Sequence, residues 1–174
     1  MRDQAIRERR REPELIATGE VEFLAHALVA PSADPEDQKR QDAAIELVAM
    51  QVAQAYEEAQ GAAVFAVHTP EMARRAGLQD FPGFDLLSRR PDREERSIEV
   101  KGRAGIGDID ISENEWARAC NLRQRYWLYV VFDCGSAHPR LLRVQDPFGK
   151  LLARNRGGVL IDEKSVFAAA EPVN

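Results

Sequence analysis

Apolar side chains recur every three or four residues in the segment from about Gln38 to Ala59. Ile45, Val48 and Val52 belong to this series, which a tyrosine continues one turn later. Such spacing places the apolar groups on one side of a helix. We therefore predict a helix here, with one face packed on the rest of the domain.

After this helix the pattern changes to short runs rich in β-branched and aromatic residues, which favour strands. The runs are AAVFAVHT, FDLLSRR, SIEVKGRA, DIDIS, YWLYVVFD and RLLRVQDP. A second helix is predicted in SENEWARACNLRQR, because Ser112 and Glu115 have the spacing of a capping box. The order of helix, three strands, helix, strand and strand predicts an α/β fold with a central mixed β-sheet flanked by helices.

The charge distribution separates the first part of the chain from the rest. Residues 1–37 are highly charged and contain the stretch RERRREPEL, whereas residues 38–174 have the apolar content of an α/β domain. We expect a domain boundary between Pro31 and Asp37, in a polar, proline-containing linker. The basic side chains of the first part belong either to a solvated helix or larger partner module, or to a DNA contact. These side chains are Arg7, Arg9, Arg10 and Arg11.

Overall composition excludes several other classes. The formal net charge of −5 argues against a protein that coats nucleic acid non-specifically. Cys120 and Cys134 do not form a CxxC motif, so we expect neither a zinc site nor a disulfide framework. No apolar run is long enough to cross a membrane, and the charged start is unlike a secretory signal. We therefore expect a cytoplasmic protein.

The stretch SIEVKG combines strand alternation with an acid and a lysine. On a strand, Glu99 and Lys101 would share one face, and Ile98 and Val100 would share the other. Two interpretations remain open for this pair. It is either a solvated ion pair that contributes little to stability, or part of a metal-dependent nuclease site.

A second carboxylate, Asp85, precedes this strand in the stretch GFD. The charged turn between the two stretches would let them pair as a hairpin, which would bring Asp85 close to Glu99. Neighbouring carboxylates repel unless a cation lies between them. Mg²⁺ (or Mn²⁺) suits two carboxylates, a backbone carbonyl such as that of Val100, and water. With Lys101 beside a developing negative charge, this set would suit phosphodiester hydrolysis.

The order GFD followed by IEVKG resembles the signature of the PD-(D/E)XK nuclease superfamily. That resemblance implies a restriction-endonuclease-like core of helix, three strands, helix and strand. It also implies that Asp85 and Glu99 bind metal and that Lys101 is the catalytic lysine. Glu46 on the first helix resembles a further acid of the family, although an ordinary surface acid is the alternative. Phe84 stands where the family name has proline.

A longer series of motifs is similar to the C-terminal domain named after the plant protein NO VEIN. Between about Asp42 and Pro147 this series comprises GFD, IEVKG, ISENEW, YWLYVVFD and LLRVQDP. The resemblance implies a Mg²⁺-dependent endonuclease domain that acts on DNA. Such domains often follow helicase-type ATPases in bacterial restriction and defence loci, and RERRREPEL is similar to the tail after a helicase core. A helicase partner in the same or another polypeptide is therefore expected.

A second hypothesis comes from a different class. A nuclease-fold module without turnover would only bind DNA or dock a helicase partner, which suits the acidic balance of the chain. Asn114, Glu115 and Trp116 are expected to build a helix start, with the tryptophan in the core. Four arginines form either a basic rim near the site or solvated helix charges. They are Arg103, Arg118, Arg123 and Arg125.

Overall fold

The structure is a computed structural model that describes residues 34–151, 153–155 and 159–173. The arginine cluster at positions 7–11 lies outside these residues, so both interpretations of it stay predictions. The expected domain boundary between positions 31 and 37 also stays a prediction.

Helix α1, Pro35–Ala59, is the predicted first helix and begins slightly earlier than its apolar pattern. Asp34 caps it, because its side chain accepts a hydrogen bond from the backbone N–H of Glu36 at 2.9 Å. The proline at the first helical position needs no hydrogen-bond partner there. The predicted apolar stripe packs on the sheet, as expected.

Eight strands follow α1 in the described chain. They are β1 (Ala63–Ala66), β2 (Leu86–Arg89), β3 (Glu95–Gly102), β4 (Ile109–Ile111), β5 (Tyr126–Phe132), β6 (Arg140–Gln145), β7 (Ala153–Asn155) and β8 (Val159–Ile161). The other helices are α2 (Pro70–Arg75), α3 (Glu113–Leu122), a 3₁₀ turn (Arg123–Arg125), α4 (Pro147–Lys150) and α5 (Glu163–Ala169). Across the described ranges, no helix is both long and apolar enough to cross a membrane.

Five strands form the central sheet in the order β1-β2-β3-β5-β6. β3 and β5 are parallel, and the other pairs are antiparallel, which confirms the predicted mixed α/β sheet flanked by helices. Every residue of β5 is buried, as its apolar run predicts. A separate three-stranded sheet, β4-β8-β7, was not predicted.

Helix α1 passes close to the end of β3. A Cβ atom added to Gly102 would lie 2.9 Å from both the Ala49 side chain and the Ile45 carbonyl oxygen. A larger residue at position 102 would therefore push α1 away. This close approach sets the middle of α1 beside the residues that end β3.

Candidate active site

Asp85 immediately precedes β2 and lies near Glu99 on the neighbouring strand β3 of the hairpin. β2 begins one residue later, and its first pair is Leu86 with Ile98. The Asp85 N–H donates to the Ile98 carbonyl at 3.0 Å, one residue off this register, so regular pairing ends at Leu86. Both carboxylates nevertheless line the same two pockets and interact electrostatically. Asp85 Oδ2 also accepts from the Val100 N–H at 2.9 Å.

The predicted alternation along β3 is confirmed. Ile98 and Val100 pack in the cluster that includes α1 residues. Glu99 and Lys101 therefore point to the opposite face. There the Lys101 Nζ lies 2.7 Å from Glu99 Oε1 and 2.8 Å from Glu115 Oε2. The lysine thus connects a strand carboxylate with a helix carboxylate.

Glu115 belongs to this cluster, although its sequence predicts only a helix start. The predicted capping box is confirmed: Ser112 Oγ accepts from the Glu115 N–H at 3.3 Å, and Glu115 Oε2 accepts from the Ser112 N–H at 2.9 Å. The same Oε2 accepts from Lys101. The capping-box glutamate was the only sequence signal for this contact, because the contact depends on where α3 begins relative to β3.

Burial and mutual repulsion act on both opposed carboxylates. Glu99 is only 2% exposed. Burial raises the pKa of Glu99 well above its usual value, and the charge of Asp85 raises it further, against the opposing effect of Lys101. Burial likewise raises the pKa of Asp85, and the Val100 N–H offsets part of that effect. Ionising both carboxyl groups at once is therefore unfavourable here unless a further cation is present.

Lys101 and Glu115 show the opposite behaviour. Burial alone would lower the pKa of Lys101, but the charges of Glu99 and Glu115 raise it above its usual value. Burial alone would raise the pKa of Glu115, but its hydrogen bond and charge interaction with Lys101 bring it below the usual value. At neutral pH, Lys101 is therefore an ammonium ion paired with an ionised Glu115.

Two adjoining clefts open on this cluster and share Asp85, Glu99 and Glu115. The first, which we call the α1 cleft, has a volume of about 750 Å³, and the second, the α3 cleft, has about 470 Å³. The α1 cleft is lined by Asp42, Ile45, Glu46, Asp85, Glu99, Val100, Lys101, Gly102, Arg103, Ala104, Gly105, Ile106 and Glu115. The α3 cleft is lined by Val67, His68, Phe81, Pro82, Gly83, Phe84, Asp85, Glu99, Ser112, Asn114, Glu115, Ala117, Arg118 and Asn121.

These linings locate the other sequence candidates. Glu46 lies on the wall of the α1 cleft, and its side chain is exposed. Arg103 lines the α1 cleft and Arg118 lines the α3 cleft. Arg123 instead pairs with Asp146 at 3.2 Å. Arg125 lines neither cleft, so two of the four arginines of the predicted rim border the site.

The donor set fits a hydrated divalent ion. Across the described part of the chain, no three histidine, cysteine or acidic residues are already grouped to hold a metal. Asp85 and Glu99 supply two carboxylates, and Mg²⁺ is commonly bound by one or two carboxylates with water in its other positions. The N–H and C=O of one strand residue point the same way. Because the Val100 N–H faces Asp85, the Val100 carbonyl also faces the gap beyond the start of β2.

Fold and site together define a class: an α/β domain with a buried acid pair and a lysine at the open end of a β-hairpin. Protein NO VEIN, C-terminal, is the family that matches this sequence, over residues 45–144. This segment is more than half of the chain, and the chain belongs to that family. The match includes every residue of the acid–lysine cluster. No curated protein and no solved structure matches the chain.

Proposed function

We propose that the chain is a Mg²⁺-dependent endonuclease domain that hydrolyses DNA phosphodiester bonds. One observation carries the proposal: Asp85 and Glu99 lie together at the open end of a hairpin, with Lys101 beside them in an open cleft. Glu99 is almost fully buried, unlike the carboxylate of a solvated surface ion pair. A carboxylate pair with raised pKa values in a cleft is typical of a functional site.

Asp85, Glu99 and the Val100 carbonyl would hold the ion. A bound Mg²⁺ would supply a more acidic water and would neutralise charge that develops on the phosphate. The Val100 N–H fixes one oxygen of Asp85, which leaves the second oxygen of that carboxylate for the ion. Glu99 is held by its burial between the hairpin and Tyr126, whose hydroxyl lies 3.5 Å away.

Lys101 would act as a charged donor rather than as a base. Its two carboxylate partners raise its pKa, so the Nζ keeps its proton at neutral pH. From its place beside Glu99 the Nζ would orient the attacking water or a phosphate oxygen. Glu46 would assist from the opposite wall of the α1 cleft, where its exposed carboxylate can hold a water.

We further propose that this activity serves restriction or anti-phage defence in the cytoplasm, alongside a helicase-type ATPase in the same or another polypeptide. Family membership and the resemblance to the PD-(D/E)XK nucleases support this placement. The restriction-endonuclease-like core is part of the same proposal. It rests on the order of α1, the β1–β3 strands, α3 and β5.

Nicking of supercoiled plasmid DNA by the purified chain, with Mg²⁺ or Mn²⁺, tests the proposal. Asp85→Ala and Lys101→Ala should each abolish nicking while circular dichroism shows an intact fold. Asp110→Ala and Lys39→Ala are matched controls, because both residues are exposed and line neither cleft. Failure of the wild type to cleave any DNA or RNA with either metal would refute the enzyme claim for this chain.

A second candidate is a nuclease-fold module that binds DNA or docks a helicase without turnover. One observation favours it: Lys101 already pairs with both Glu99 and Glu115 and so supplies an internal cation. Under this hypothesis DNA binding would survive Lys101→Ala, and no cleavage would occur. Calorimetric titration of Mg²⁺ into wild type and Asp85→Ala separates the two, because only the nuclease requires a metal that depends on Asp85.

A further inference from the structure

Phe81 is the most exposed large apolar side chain in the described structure, at 79%. It lines the α3 cleft on the loop between α2 and β2. Its backbone has a φ of 53°, a left-handed conformation that is uncommon for a bulky residue. Uncommon backbone conformations of this kind cluster at binding and active sites. The loop therefore presents an aromatic ring to solvent, a few residues before Asp85.

Arg118 stands on the other wall of the same cleft. Its stem crosses Gly83, where an added Cβ atom would lie 3.1 Å from the Arg118 Cγ. Gly83 has a φ of 79°, so both its backbone and its lack of a side chain suit this contact. None of the ion pairs in the described residues includes Arg118, although three acidic side chains line the cleft. Its guanidinium charge is thus available to a ligand.

The rest of the α3 cleft combines hydrogen-bonding groups with the apolar residues Val67, Pro82 and the buried Phe84. Asn114 and Asn121 project from α3, and His68 follows β1. A pocket with one aromatic face, one available guanidinium and two amides matches a nucleotide. The ring would stack on a base, the guanidinium would bind phosphate oxygens, and the amides would bind base edges or sugar.

We propose that the α3 cleft binds one unpaired nucleotide of the strand being cut, with its base stacked on Phe81 and its phosphate held by Arg118. The inference rests on the proposed nuclease function, because it places this nucleotide next to the Asp85–Glu99 pair. A base inside a duplex has both faces covered by its neighbours and cannot stack on Phe81. The preferred substrate is therefore single-stranded nucleic acid, or a duplex with an unpaired segment at the cut.

The inference is tested by measuring DNA binding under conditions in which no cleavage takes place. The anisotropy of a labelled single-stranded DNA of about 12 nucleotides, a length comparable to known single-strand sites, is followed as the full chain is added with Ca²⁺. The single strand should bind more tightly than the same sequence as a duplex. Phe81→Ala should weaken single-strand binding about tenfold, and Phe81→Trp should keep it. Arg118→Ala should weaken it and reduce the slope of log K against log salt by about 0.7.

Matched controls distinguish local effects from a general loss of aromatic surface or charge. Phe167→Ala removes another partly exposed phenylalanine, on α5, and Arg93→Ala removes an exposed arginine at the turn of the β2–β3 hairpin, away from Asp85. Both should bind the single strand like wild type. Phe81 is so exposed that its replacement should leave the unfolding midpoint unchanged, so a loss of binding cannot be ascribed to unfolding.

The two levels of the proposal fail separately. If Phe81→Ala and Arg118→Ala bind the single strand like wild type, or if the duplex binds equally well, the inference is overturned even when plasmid nicking occurs. If single-strand binding depends on both residues but wild type never cleaves, the inference stands and the nuclease proposal fails. A wild type that binds no DNA at all overturns the inference and favours a protein partner at Phe81.

Discussion

Two buried glutamates lie on opposite faces of the same sheet, and their surroundings differ. Glu57 on α1 is fully buried and is surrounded by donors. Ser88 Oγ donates to its Oε2 at 2.6 Å, and Arg90 donates to both oxygens, at 3.0 and 2.9 Å. The Tyr129 hydroxyl also donates to Glu57. Burial alone would raise the pKa of Glu57, but these donors bring it below its usual value.

Glu99 is buried to nearly the same degree with the opposite result. Its neighbour across the hairpin is another carboxylate, Asp85, and Lys101, its ion-pair partner in the described residues, is shared with Glu115. Burial and Asp85 together raise its pKa. Glu57 is enclosed between its own helix, α1, and the sheet, whereas Glu99 borders both clefts.

The two glutamates illustrate two kinds of buried charge, one fully paired and one not. A buried charge that is fully paired stabilises a particular arrangement of elements, here α1 on β2 and β5. A buried charge that is under-neutralised and open to solvent costs stability and gains only when a cation arrives. The two faces of the sheet therefore differ in how completely their buried carboxylates are paired.

The largest expected effect is on stability, from Glu57→Ala. Arg90 would then remain nearly buried, at 14% side-chain exposure, without its carboxylate partner. Removing one partner of a buried pair typically costs about 3–5 kcal/mol. Urea unfolding at neutral pH measures the loss. The neighbouring Glu58→Ala is the matched control, since Glu58 is exposed and its side chain accepts a hydrogen bond from Gln54 at 2.7 Å.

If Glu57→Ala leaves too little folded protein to titrate, Glu57→Gln supplies a milder variant. The amide keeps the shape but cannot accept hydrogen bonds at both positions, so a smaller loss is expected. Equal stability of wild type and both Glu57 variants would show that the network does not hold α1 on the sheet.

Glu99→Gln should change the free energy of unfolding in the opposite direction. The substitution removes the repulsion with Asp85 and keeps the volume, so the free energy of unfolding should rise by roughly 0.5–2 kcal/mol while activity is lost. Because the folded-state pKa of Glu99 is raised, wild type loses stability as pH rises from about 4.5 through that pKa. The gain in Glu99→Gln should therefore be full at high pH and should fade toward pH 4.5.

The contribution of Glu57 to stability should depend on pH in the reverse way, because its folded-state pKa is lowered. Its stabilising contribution is present above its usual value of 4.5 and disappears as pH falls through the lowered pKa. Denaturant unfolding of wild type and both variants across the acid range measures the two slopes. A destabilised Glu99→Gln at high pH would contradict the contrast between the two faces.

A divalent metal ion should stabilise the folded protein through the Asp85–Glu99 pair. Mg²⁺ at ten times its dissociation constant should raise the free energy of unfolding by about 1.4 kcal/mol, because it binds the folded state alone. Asp85→Asn and Glu99→Gln should lose this gain, whereas Asp110→Asn should keep it. Thermal unfolding with and without Mg²⁺ checks this, and an equal gain in all four proteins would place the metal elsewhere.

Local patterns in the sequence were sufficient for much of the fold and for Asp85, Glu99 and Lys101, three of the four residues of the cluster. The apolar stripe of α1, the continuous run of β5 and the capping box of α3 each follow from residues close in the chain. Asp85 and Glu99 were also accessible, because one short turn separates their strands and fixes the pairing.

Long-range pairings were not accessible. Glu57 has the sequence context of an ordinary helix acid, and its partner Arg90 is 33 residues away in a charged turn. Glu115 meets Lys101 only because α3 starts over the end of β3. In the small sheet only β4 was predicted, from the alternation in DIDIS, and its pairing with β8 and β7 was not.

Glu115→Gln should produce the smallest change and would show how far Lys101 depends on it. Glutamine also serves in a capping box, so α3 should still begin at Glu113 and stability should fall by less than about 1 kcal/mol. Lys101 would keep only Glu99 as a carboxylate partner, which shifts it toward the metal-binding acid. We expect a modest decrease in nicking and weaker Mg²⁺ binding, because the ammonium then competes more strongly for Glu99.

Glu113→Gln removes a charge from the same helical turn without touching Lys101 and is the matched control. Equal Mg²⁺ affinity in the two variants would show that Glu115 is a helix cap alone, and Lys101 would then be positioned by Glu99 without help from α3.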